Sequence, residues 1–307
     1  MWFKNLKVYK LKELIKLDQE AIEKSLNSFV FSPCGSLDLE ESGFVPPLGR
    51  LSEALLDVVD GQYIVCVRFE KKLLPMTVVR EQVAEKIEQY TAEHNRAPRG
   101  KEKTELKDSV MLALIPKAFA THSDIYAWID NVNGFVYVDT SSDKKAENVL
   151  SLIRKALGTL PVVPLDVKES VTTVTTNWLL KNQIPSRFEL GTQINLVSTR
   201  DENKTVAAKS SDLLEDDIIQ HLRGDKIVSK LSLIFDNEFS FMIDDQLSIK
   251  RIKFSEDIVH PEENDNYDQQ EKDELEQMNS DFFIQTASFR KLIPYLIEQF
   301  GGINEAE

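Results

Sequence analysis

The feature that most constrains this chain is a pair of charged helical segments within residues 79–119, joined by a basic turn and stopped by Pro116-Lys117-Ala118-Phe119. Val79, Val83, Ile87 and Tyr90 recur at steps of four, four and three, which makes one apolar stripe, with Glu81, Glu85, Lys86 and Glu88 largely outside it. Leu106, Val110, Ala113 and Leu114 repeat the pattern, with Thr104 as the expected N-cap of that second helix and Pro116 ending it. Between them Arg96-Ala97-Pro98-Arg99-Gly100-Lys101 is a turn by its Pro and Gly. In and just after that turn, Arg96, Arg99, Lys101, Lys103 and Lys107 face only Glu102 and Glu105, a tip of +3 on a chain of −14. Two narrow helices have little core of their own. They either pack on a domain as a solvated hairpin, or project as an arm whose stripe (Val83, Ile87, Tyr90) meets another subunit and whose tip (Arg96, Arg99, Lys101) meets an anion.

The acidic balance is unevenly placed. Residues 256–281 hold eleven acids against Lys272, a net of −10, so the rest of the 307-residue chain carries only −4. A near-neutral bulk leaves room for a basic surface on one side. The acids lack calcium-loop spacing and read as a solvated connector. No apolar run is long enough for a membrane span or a signal peptide, so a cytoplasmic protein with no membrane partner is expected. Cys34 and Cys66 are too sparse for a disulfide scaffold and read as reduced thiols.

Around the arm the chain reads as α+β, with mostly antiparallel sheets and flanking helices. Residues 2–11 form a first strand, and Asp18 caps a helix with Ala21, Ile22, Ser25, Leu26 and Phe29 inward. Residues 31–48 are a Pro- and Gly-punctuated loop with no period. Asp60-Gly61 turns one hairpin, whose second strand is apolar on both faces and so central, and Asn133-Gly134 turns another. Ser142 or Asp143 opens a helix closed by Gly158. Residues 160–165, with two prolines, read as a stiff connector and a boundary. Beyond it, 171–180 is a Thr-rich strand or a short helix, 188–197 a strand, and 213–222 a helix started by Ser211 or Asp212. A three-strand meander over 226–254 and an amphipathic helix over 287–300 complete the chain. The division is a first α+β region (1–75 and 120–160), a helical arm (76–119) and a second α+β region (161–307) that contains the acidic connector 256–281.

Enzyme signals are nearly absent: no phosphate-binding Gly loop, no nucleophile elbow and no paired Cys spacing. His94, His122, His221 and His260 have no ligand-spaced partners, although His122 and Asp124 could meet as a dyad. No cofactor and no enzymatic activity are expected. Phosphate-binding candidates are better populated: the arm tip, Lys117, Lys204 and Lys209 in a polar loop, and Lys250, Arg251 and Lys253 on a strand. Each alone is an ordinary solvated base; several on one surface would make a phosphate-binding face.

Several motifs agree in order and spacing with one family. They are Trp2-Phe3-Lys4-Asn5-Leu6, Phe31-Ser32-Pro33-Cys34-Gly35, Gly43-Phe44-Val45-Pro46-Pro47, Pro116-Lys117-Ala118-Phe119, Trp128-Ile129-Asp130, Lys144-Lys145-Ala146-Glu147 and Leu160-Pro161-Val162-Val163-Pro164-Leu165. Over essentially its whole length the chain resembles the recombination-associated protein RdgC family. The resemblance implies a nucleoid-associated protein without enzymatic activity. Its horseshoe-like subunits would pair into a ring-shaped homodimer that encircles double-stranded DNA with little sequence preference; single-stranded DNA is a further partner. It also implies restraint of RecA-promoted strand exchange in recombination and replication-fork repair. Phe119 matches an apolar dimer-contact residue at a ring closure, and Lys117 a neighbouring base that is usually Arg. Lys keeps the charge and loses the bidentate fork. A second basic locus falls on residues 206–212, where Lys209 matches a lysine and Ser210 and Ser211 replace Lys and Gln. The acidic stretch 256–281 is expected on the outer face, away from DNA. The alternative is an interaction protein that contacts the recombinase directly, with DNA binding secondary.

Overall fold

In the computed structural model the described residues are 2–16, 18–59, 61–210, 212–259 and 274–304. The first region runs β1 (Asn5–Leu11), α1 (Gln19–Asn27), β2 (Glu40–Val45), β3 (Leu56–Val59), β4 (Gln62–Lys72), α2 (Met76–His94), α3 (Lys101–Leu114), β5 (Ala120–Asp130), β6 (Phe135–Val138) and α4 (Asp143–Leu157). There follow β7 (Val162–Pro164), α5 (Val171–Lys181), β8 (Phe188–Ser198), β9 (Thr205–Lys209), α6 (Asp216–Arg223), β10 (Lys226–Phe235), β11 (Phe239–Asp244), β12 (Ile249–Phe254), α7 (Glu256–Val259) and α8 (Glu274–Gln299). The chain is α+β, with twelve strands in one antiparallel sheet and eight α-helices among the described residues.

The sheet runs β2-β4-β5-β6-β1-β12-β11-β10-β8-β9, with β3 on β4 and β7 on β1. Strand β1 joins its two parts. Asn5 and Leu6 pair with Lys250 and Ile249 of β12, while Lys7 to Lys10 pair with β6. Successive side chains on a strand alternate faces. Leu6 and Val8 therefore enter one core and Tyr9 and Leu11 another.

The first core lies under α1 and α4. Asp18 accepts the Ala21 N–H at 2.8 Å and Ser142 accepts the Lys145 N–H, the N-caps that the sequence leads one to expect. Leu26, Ala146, Val149 and Leu150 are fully buried there against Val67, Ala127 and Val136. The second core lies on the opposite side of the sheet. In it α8 brings Phe282 and Phe289 against Trp128, whose ring stacks on Tyr137 at 4.1 Å. Trp178 of α5 sits between Phe188 and Phe300. Helices α5, α6 and α8 all contribute to this core, so the part of the sheet formed by β8 to β12 has its covered face on their side.

Several expectations are corrected. The loop over 31–48 contains β2, an edge strand held by six paired residues of β4. Gly43 lets it pass under the preceding turn, since a Cβ there would fall 2.4 Å from the Phe31 Cα. The connector at 160–165 is itself partly strand, because Val162, Val163 and Pro164 pair with the end of β1. Residues 171–181 are helical: Thr175 and Thr176 bond back to the carbonyls of Val171 and Thr172, and the Thr176 hydroxyl also accepts the Val228 N–H at 2.9 Å. The N-cap of α3 is Gly100 rather than Thr104, and that of α6 is Glu215 rather than Ser211 or Asp212. Helix α8 is described from Glu274, thirteen residues before the expected point, and carries acids in that turn. The ends of the acidic stretch are thus helical, while 260–273 and the question of which way they face lie outside the described residues. Both cysteines are free thiols, and burial pushes that of Cys66 up to about 12.

Candidate nucleic-acid interface

Directly paired residues of an antiparallel ladder point to the same face. On the face turned away from the helices, Lys209 of β9 pairs with Gln193 of β8. Asn195 of β8 pairs with Lys230 of β10, and Lys230 with Asp244 of β11. Met242 pairs with Lys250, and Ser240 with Lys253. Glu189 is the further acid of this face, through its pairing with Ile234. Arg251 stands at a bulge between β11 and β12 with φ of 54°. That left-handed backbone costs a non-glycine residue of order 1 kcal/mol. From the bulge its guanidinium crosses the sheet and donates to Gln193 Oε1 at 2.8 Å.

Lys209, Lys230, Lys250, Arg251 and Lys253 therefore share one open face, against Asp244 and Glu189. Lys250 is bound to Asp244 at 2.6 Å. Burial alone would raise the Asp244 carboxyl, but the Lys250 ammonium and the Ser248 N–H outweigh it and hold the group below its usual range. Among the described residues, Lys209, Lys230 and Lys253 have no carboxylate within 4 Å, and Arg251 is held by a neutral amide. At about 4.8 Å per strand, the bases span roughly 19 Å from β9 to β12. Dispersed point charges of this kind suit a polyanion whose charge is spread along a backbone.

The other sequence candidates lie elsewhere. Lys209 was expected in a loop, but residues 205–209 are the edge strand β9; paired with β8, its alternation turns Lys209 outward. Lys204 precedes β9, exposed, with Asp201 at 4.0 Å. The arm leaves the sheet between β4 and β5, about seven strand steps from β9, or roughly 34 Å along the sheet. At its tip Arg96 is committed internally: it forks onto Glu102 at 2.8 and 2.6 Å and lies over the Tyr90 ring. The Arg96 and Tyr90 hydrogen bonds hold the Glu102 carboxyl well below the usual range. Lys101 is 3.7 Å from Glu105, whereas Arg99 is exposed with its backbone N–H on Glu102. Val83, Ile87 and Tyr90 are half-buried in the helix pair, and Val79 and Val110 are buried at its root.

Lys117 is exposed on a 3-10 turn, and Phe119 beside it is 84 % exposed. The Phe119 carbonyl accepts the Leu73 N–H at 2.7 Å, which places Phe119 at the arm root near the exposed Leu73 and Met76. His122 and Asp124 do not form a dyad. Both lie on β5, but each turns to β4: His122 to Glu70 at 2.7 Å and Asp124 to Arg68. Among the described residues no group of three or more His, Cys, Asp or Glu could hold a metal ion. No helix of the described residues is long and apolar enough to cross a membrane.

Sequence reasoning missed Lys230 and Gln193. Alternation over Lys230, Ser232 and Ile234 carried the signal for Lys230, but its partners come from strands distant in the chain.

Residues 1–303 match the family model described as "Putative exonuclease, RdgC". The chain is 38% identical over 302 residues to the recombination-associated protein RdgC of Yersinia enterocolitica, covering 98% of each. To the proteins of that name from Aeromonas hydrophila and Psychromonas ingrahamii it is 39% and 37% identical, over 98% of this chain and 98% and 99% of theirs. With a family match over nearly its whole length and relatives matched end to end, the chain belongs to the RdgC family.

Proposed function

We propose that this chain is a double-stranded DNA-binding protein without sequence preference, which restrains RecA-promoted strand exchange by occupying the duplex. The observation that carries the reading is the open face on which Lys209, Lys230, Lys250, Arg251 and Lys253 converge from three different strands. Phosphate contacts position a protein on a duplex and carry no sequence information. The exposed Phe119, with Leu73 and Met76 at the arm root, supports a homodimer contact there, because large apolar side chains grouped on a surface mark interfaces. Two horseshoe-like subunits closing through such contacts into a ring would hold DNA by topology as well as by charge. In this reading Lys117 and the arm tip, through Arg99, meet phosphate at the rim, and the protein works on the nucleoid in the cytoplasm.

The test compares duplex binding with inhibition of strand exchange in the same preparations. Lys209→Gln, Lys230→Gln and Lys253→Gln together should weaken binding to duplexes of unrelated sequence by similar factors, and inhibition should fall in step. Inhibition that persists on DNA the protein no longer binds would favour direct contact with the recombinase instead. Release of nucleotides from end-labelled duplex by pure protein with magnesium would contradict a purely binding role.

A further inference from the structure

Lys144-Lys145-Ala146-Glu147 opens α4, away from the open face. Bases in a first helical turn oppose the helix dipole, so helix stability does not ask for them there. Their surroundings supply another reason. Between α4 and the ends of β4 and β5 lies a groove of about 610 Å³, lined by Lys71, Lys144, Lys145 and Lys155 with the hydroxyls of Thr121 and Ser123. Three acids also line it: Glu40 shares the face of Lys71, whereas Glu41 and Glu70 pair with each other in the β2–β4 ladder and turn to the opposite side of the sheet. Glu40 pairs with Lys71, Glu41 accepts the Ser42 N–H at 2.9 Å, and Glu70 takes His122 and the Cys34 N–H. Lys145 donates to Ser123 at 3.1 Å, a neutral partner. Among the described residues, Lys144, Lys145 and Lys155 have no carboxylate within 4 Å, and with Glu40 taken up by Lys71 the groove keeps an excess of positive charge.

The groove and the open face lie on the same side of the sheet. Along β1, Asn5, Lys7, Tyr9 and Leu11 share a face. Asn5 pairs with Lys250 of the open face, while Tyr9 and Leu11 enter the core beneath α4. Lys7 ties the two together, reaching Asp143 of α4 at 2.5 Å and Ser248, just before β12, at 2.6 Å.

We infer that the α4 groove is a second phosphodiester-binding site, which takes the sugar-phosphate backbone of the same duplex through Lys144, Lys145 and Lys155. This rests on the duplex-binding reading and extends its track from the second region of the chain to the first. Point charges with hydroxyl donors recognise phosphate and leave bases unread.

The experiment measures the salt dependence of binding to a mixed-sequence duplex for three full-length proteins. One is unaltered, one carries Lys144→Gln, Lys145→Gln and Lys155→Gln, and one carries Lys209→Gln, Lys230→Gln and Lys253→Gln. Each triple variant should make the slope of log Kobs against log salt shallower by about 0.9 for every phosphate it no longer neutralises, or about 2.7. A groove variant with the unaltered slope, beside an open-face variant with a shallower one, overturns the groove and leaves the duplex reading intact. Failure of the unaltered protein to bind duplex overturns both. If the groove variant melts early, Lys155→Gln alone, far from the helix cap, should still reduce the slope by about 0.9; an unchanged slope there overturns the inference.

Discussion

Arg251 is the residue whose geometry is hardest to explain by folding alone. A left-handed arginine costs stability, and its side chain is tied only to the amide of Gln193. Replacing it with glycine relieves the strain and adds the entropy cost of a flexible residue; the two offset, so stability should change by less than about 0.5 kcal/mol. Duplex binding should lose about 0.9 of salt slope in the same variant. Loss of folding would assign the arginine a structural role instead. Phe119 makes a parallel case. A buried core phenylalanine would cost about 3 to 5 kcal/mol on truncation. At 84 % exposure, Phe119→Ala should leave melting nearly unchanged while shifting sedimentation toward monomer. Gly43 is the opposite kind of position: a Cβ there meets the Phe31 backbone, so Gly43→Ala should cost about 1 to 3 kcal/mol in chemical denaturation. At this scale the sequence was legible where chemistry is local. Asp18, Ser142 and Gly158 announce helix ends by their own side chains or lack of one. Arg251 and Lys253 were visible as bases, but not that Gln193 would hold the first.

Among the elements, α8 adds to β1 a second tie between the first region of the chain and the second. Arg290 donates to both carboxylate oxygens of Asp130, which is fully buried at the end of β5 and also holds Asn133 of the β5–β6 turn. Burial alone would raise the Asp130 carboxyl, but the Arg290 and Asn133 hydrogen bonds outweigh it and hold it below the ordinary value. A depressed carboxyl contributes stability above its unfolded pKa, about 3.9, and loses it as pH falls through the folded value. Acid unfolding should therefore steepen below about pH 4, and Asp130→Asn should remove that component. It should also cost about 1 to 3 kcal/mol near neutral pH, because the amide replaces a fully buried carboxylate whose two oxygens both accept from Arg290. The elements read correctly from sequence carry hairpin turns or strong periodicity, as around Asn133-Gly134 and in α4. Those missed are short or polar: β2, β7 and β9 exist because a long neighbour pairs with them, which no local pattern records. The Thr-rich α5 was ambiguous because β-branched residues favour strand, until tertiary contacts such as Thr176 with Val228 decide.

For the whole molecule, the sheet is asymmetric. Among the described residues, helices α5, α6 and α8 cover one side along both regions, while on the other side α1 and α4 cover the first region alone. The uncovered remainder is where the bases gather. This arrangement was not legible beforehand, because Lys209, Lys230 and Lys250 come from strands whose neighbours are set by long-range pairing. The sequence offered the arm tip as one of several candidate anion contacts, beside Lys117, Lys204 and Lys209. The structure instead commits Arg96 to Glu102 and gathers five bases at the far part of the sheet. The proposed hold on duplex DNA runs through dispersed phosphate contacts, and salt dependence tests it most directly. The affinity of the unaltered protein for duplexes of unrelated sequence should fall with a common slope of log Kobs against log salt near −4 or steeper, as four or more contacts on the open face require. A slope shallower than about −2, or affinities that diverge with sequence, would contradict it.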